Sequence, residues 1–92
     1  MMRLEEIFSS RGRVVVLRCV CECGGVHISE VSRRTGLSFT TVRRHLEELK
    51  DKGILEEISV GRSRFFRLSK SVTAERIRRF MLSFEDSRDH KM

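Results

Sequence analysis

Residues 28–53 read ISEVSRRTGLSFTTVRRHLEELKDKG, and the spacing within them decides what fold the chain can make. Ser29 is placed to cap a helix through Glu30, Val31, Ser32, Arg33 and Arg34 that stops before Gly36. Leu37 follows as an apolar plug. Ser38 is a second cap, opening a longer helix from Phe39 to Lys52. There Val42, Leu46 and Leu49 recur at i, i+4 and i+7 as one apolar stripe, while Thr40, Arg43, Arg44 and Glu47 fall on the opposite side. Gly53 stops this helix.

Two helices joined by a short Gly-containing turn make a helix-turn-helix. Upstream, Arg13 to Cys23 is the most apolar stretch, with Val14, Val15, Val16, Leu17, Cys19, Val20, Cys21 and Cys23. It is too long for an ordinary strand and ends in Gly24-Gly25, so it reads as a central helix with Arg18 and Glu22 as its polar strip. Ser9, Ser10 and Gly12 separate it from a short amphipathic helix carrying Leu4, Ile7 and Phe8, and either serine can cap it. Val26-His27-Ile28 has room for only a short strand.

Downstream of Gly53 the period changes to two. Residues 54–60 and 63–68 flank Gly61-Arg62, which suits a type II′ hairpin with Phe66 and Leu68 facing inward. Ser71 or Thr73 then caps a helix with the stripe Ile77, Phe80, Met81 and Phe84, and residues 85–92 are polar and expected to fray. The expectation is one α+β, mostly α domain over 1–92. It has a three-helix core with a β-hairpin, plus N-terminal (1–10) and C-terminal (71–84) helices.

Ninety-two residues suit one small domain rather than a deep cofactor-binding cleft. No apolar run reaches the length of a membrane span, and the acidic start at Glu5-Glu6 does not resemble a signal peptide. Three cysteines, an odd count, argue against a secreted disulfide scaffold, so a soluble intracellular protein is expected. Nineteen Lys and Arg against thirteen Asp and Glu give a net charge of +6. The cations are segregated: residues 33–44 hold four arginines and no acid, and 61–70 hold three arginines and a lysine, again without an acid. Such clustering makes a basic surface suited to nucleic acid, the alternative being an ordinary charge-rich, solvated surface.

Residues 28–38 resemble the first half of a winged helix-turn-helix regulator, and 41–55 resemble its recognition helix running into the wing. Gly61-Arg62 with Phe66 and Leu68 resembles the wing itself. The resemblance is nearest to small archaeal relatives of the ArsR and MarR repressors. It implies a sequence-specific regulator of double-stranded DNA, cytoplasmic at the nucleoid, with helix 39–52 in the major groove and the wing, 54–68, on backbone or minor groove. Ser38, Thr40 and Thr41 would bond phosphates or bases, although Thr41 can equally be half-buried. Arg43 and Arg44 would read guanine, Arg43 having an ion pair with Glu47 as its alternative. Arg33 and Arg34 would meet backbone phosphates, and Arg62 and Arg64 on the wing would reach phosphates or the minor groove.

The Cys19, Cys21, Cys23 and His27 cluster invites a metal or thiol sensor, but helical spacing puts Cys19 and Cys23 on one face and turns Cys21 away. Neither a metal nor another cofactor is expected, and His45 reads as a helix-packing residue. No phosphate loop, carboxylate pair or activated nucleophile suggests an enzyme. Leu4, Ile7 and Phe8 with Ile77, Phe80, Met81 and Phe84 are the expected homodimer interface, closure within one chain being the alternative. A winged helix used only as a protein-interaction module is the rival function.

Overall fold

A computed structural model describes residues 10–90, without the side chains of 85–90. The expected helix with Leu4, Ile7 and Phe8 lies outside the described residues. Helix α1 (Arg11–Cys23) begins at Ser10, whose side chain accepts from the Arg13 amide, and ends at Gly24. Gly12 therefore lies inside the helix instead of breaking it. Its lack of a side chain is used there, because a Cβ at position 12 would sit 3.0 Å from His45 Nε2. Val16, Leu17 and Val20 are fully buried, and Arg18 pairs with Glu22 at 3.3 Å on the polar strip.

Helix α2 (Ile28–Thr35) starts one residue before Ser29, at a His27 cap that makes no side-chain hydrogen bond. The short strand expected just before it is a single bridging residue. Val26 exchanges both backbone hydrogen bonds with Phe66, at 3.0 and 2.9 Å, which fixes the chain there and lets the helix begin at Ile28. Gly36 closes α2 in the left-handed conformation at φ 77°, a backbone shape glycine takes without steric cost. Helix α3 (Phe39–Asp51) is capped by Ser38, which accepts from the Thr41 amide. Strands β1 (Leu55–Val60) and β2 (Ser63–Leu68) pair antiparallel, Leu55 opposite Leu68 and Val60 opposite Ser63. Gly61 has φ 61° and Arg62 is not left-handed, the combination of a type II′ turn.

Ser71 accepts from the Ala74 amide and caps helix α4 (Val72–His90), whose backbone stays helical past the Phe84 limit expected from sequence. Val31 from α2, Val42, Leu46 and Leu49 from α3, then Ile54, Leu55 and Phe66 from the hairpin, close over α1 in one core. Ile77 and Met81 of α4 join it. Half of the stripe assigned to a dimer interface is thus covered by its own chain. Phe80 and Phe84 are the half that stays exposed, at 47% and 57%.

Candidate nucleic-acid interface

Burial of Val42, Leu46 and Leu49 fixes the rotation of α3, and that rotation decides which side chains face solvent. Phe39, Thr40, Arg43 and Arg44 come out on the exposed side. Neither Arg43 nor Arg44 makes an ion pair among the described residues. The Glu47 carboxylate expected for Arg43 is taken by Lys50 at 3.3 Å. Ser38 and Thr41 are committed to the start of the helix, the Ser38 hydroxyl donating to Thr41 Oγ1 at 2.9 Å, and Thr41 is half-buried.

The four remaining arginines differ in circumstance. Arg62, at the wing tip, is exposed and has no ion pair among the described residues. Arg64 lies 3.5 Å from Glu57. Lys50 Nζ also reaches Glu57, at 3.0 Å, so the acid ties the end of α3 to both strands of the wing. Hydrogen bonds to Glu57 and Glu47 push the Lys50 pKa up. Arg33 is widely exposed, 3.7 Å from Glu30. Arg34 is the most engaged, donating to Cys23 Sγ at 2.8 Å and lying 3.6 Å from Glu30. Sequence reading missed these engagements because the acids responsible lie outside the acid-free runs.

Phe39 was also missed as a candidate. Leu37 and Val42 flank the Ser38 cap at the positions of a hydrophobic staple and both pack on the core, whereas Phe39 is 49% exposed. Its signal in the sequence was an aromatic residue at the first position of the helix, three residues before Val42.

Behind α3, His45 is buried, with Nδ1 3.5 Å from Glu48 Oε1, too long for a good hydrogen bond. Burial, then the neighbouring Arg44 and Arg13 charges, holds its pKa below the ordinary histidine value. Glu48 receives an Arg13 hydrogen bond at 2.8 Å, which holds its carboxyl below the usual range. The cysteines divide as helical spacing requires. Cys19 and Cys23 share one face of α1, and burial foremost, then the neighbouring Cys23, raises the Cys19 thiol to about 11. Cys21 turns to a 230 Å³ cavity with Leu68 and Arg78, its thiol raised by burial to about 11. His27 leaves this group to lie against Phe65, ring centroids 4.0 Å apart. Among the described residues, no three His, Cys, Asp or Glu side chains are grouped to hold a metal ion. None of the described helices is long and apolar enough to cross a membrane.

An exposed basic helix, preceded by a short helix across a turn and followed by a hairpin, is the arrangement of a winged helix-turn-helix fold. Residues 15–56 match the family model described as winged helix-turn-helix DNA-binding. Solved structures share the fold. A predicted DNA-binding transcriptional regulator from E. coli is 21% identical, with a TM-score of 0.75 over 88% of this chain and 84% of that one. The homodimeric winged helix-turn-helix DNA-binding domain of Mb0332 from Mycobacterium bovis, a possible ArsR-family regulator, is 18% identical, with a TM-score of 0.70 over 95% and 79%. The MarR-family transcriptional regulator SPO1453 from Silicibacter pomeroyi DSS-3 is 13% identical, with a TM-score of 0.66 over 84% of this chain and 54% of that one. At these identities the likeness is one of fold. No curated protein sequence matches the chain.

Proposed function

We propose that the chain is a sequence-specific transcription regulator that binds double-stranded DNA as a homodimer, laying α3 in the major groove. The observation that carries this reading is the outer face of α3, where Arg43 and Arg44 are exposed without an ion pair among the described residues. Elsewhere on the surface Arg67 is shared with Glu56 and Arg78 with Glu75. Arg43 and Arg44 are the guanine readers, because a guanidinium fork matches guanine O6 and N7. Thr40 beside them contacts a base edge or phosphate.

Arg62 at the wing tip and Arg33 at the end of α2 take backbone phosphates. Arg64 contributes less, since Glu57 already shares its charge. Ser38 and Thr41 hold the helix start rather than reaching out, the Thr41 amide being taken by the Ser38 hydroxyl. Arg34 serves the fold through Cys23 and Glu30. Phe80 and Phe84 stack edge to face at 4.9 Å on the outside of α4, and they meet the same pair in a second copy. A homodimer of similar fold, Mb0332, supports that assembly.

The test is anisotropy of labelled duplexes enriched from a random pool. Arg43→Ala and Arg44→Ala should each cost about 1–3 kcal/mol of discrimination at a guanine. Arg62→Ala should weaken all duplexes alike. Unchanged preference in both α3 variants contradicts the assignment.

A further inference from the structure

Phe39 is the first residue of α3, and a half-exposed aromatic ring there needs a physical account. It does not build the core, which is complete without it. It has no ring partner among the described residues, where the aromatic pairs are His27 with Phe65 and Phe80 with Phe84. The apolar residues that fix the entry of the helix are Leu37 and Val42, both packed on the core. The half-exposed ring lies at the N-terminal end of α3, beside Thr40 and one turn before Arg43.

Base edges in the major groove offer one strongly apolar feature, the 5-methyl group of thymine. An exposed phenyl ring cannot hydrogen-bond the other edge groups, and against cytosine or adenine it would cover a polar amine at a cost. Phe39 and Arg43 stand four residues apart on one face, about 6 Å along the axis. That is roughly one to two base-pair steps of 3.4 Å. We infer that Phe39 is a specificity-determining residue that packs on a thymine methyl one or two base pairs from the guanine read by Arg43. This rests on the DNA-binding reading above and adds a base identity to it.

The experiment starts from a duplex enriched by the wild-type protein from a random pool. Each thymine in that duplex is then replaced singly by deoxyuridine, which removes only the methyl group. One replacement near the conserved guanine should weaken wild-type binding about three- to tenfold, the scale of one buried methyl group. Phe39→Ala should bind the thymine duplex more weakly and no longer distinguish the two, and Phe39→Leu should restore part of the difference. Circular dichroism should show both variants folded, since the side chain is outside the core. If no sequence is enriched, the DNA reading fails and this inference with it. If a sequence is enriched but no deoxyuridine position matters, or Phe39→Ala keeps the same methyl preference, the inference alone is overturned.

Discussion

Arg34, in the last turn of the first helix of the pair, and Arg44, midway along the second, carry the same charge, and their neighbours give them different work. Arg34 is tethered to Cys23 and Glu30, whereas Arg44 stands over solvent and adds its field to the buried His45 behind it. His45 supplies a pH dependence whose direction follows from its surroundings. Burial and two arginines place its folded pKa below the unfolded value of about 6.5. Between those two values the unfolded chain binds more protons, so stability falls as pH drops below about 6.5. Glu48 adds a later loss. Its carboxyl is held low by Arg13, so its contribution is present above about 4.5 and disappears as pH falls through the folded value. Urea unfolding at stepped pH should show the first decline just below 6.5, and His45→Gln should remove it while the Glu48 decline persists. A His45→Gln profile parallel to that of the parent would contradict this account.

At the scale of elements, the caps and periods were legible in the sequence. Ser38, the Val42–Leu46–Leu49 stripe, the Gly61-Arg62 turn and Ser71 all act where local chemistry places them. The start of α2 was not legible, because Ser29 is a better cap than His27 by its own chemistry. The Val26–Phe66 bridge, forty residues apart in sequence, overrides that preference. The ion pairs were hidden for the same reason: Lys50 and Arg64 meet at Glu57 only once the hairpin folds against α3. Within the candidate interface the basic residues were visible and their degree of engagement was not. Ser38→Ala tests the cap directly. It should cost about 0.5–2 kcal/mol in urea unfolding, with the helical signal otherwise retained. A loss confined to DNA binding, with stability unchanged, would instead make Ser38 a contact residue.

For the whole molecule, exposed arginines stand on the outer face of α3 and at the wing tip, and the Lys50–Glu57–Arg64 link ties these two elements together. The outside of α4 carries the exposed Phe80 and Phe84 pair. The paired substitutions Phe80→Glu and Phe84→Glu should halve the mass seen by light scattering, from about twice 10.8 kDa to one chain, with circular dichroism unchanged. DNA affinity should fall with it, since two half-sites are then bound separately.

The claim on which the rest depends is that the exposed arginines at the end of α2 and on the wing, Arg33, Arg62 and Arg64, neutralise DNA phosphates. It is tested by the affinity for one enriched duplex between 50 and 200 mM salt. About six phosphate contacts over two protomers predict a linear fall of log K with log salt, amounting to roughly a thousandfold. An affinity that stays level across that range would contradict it.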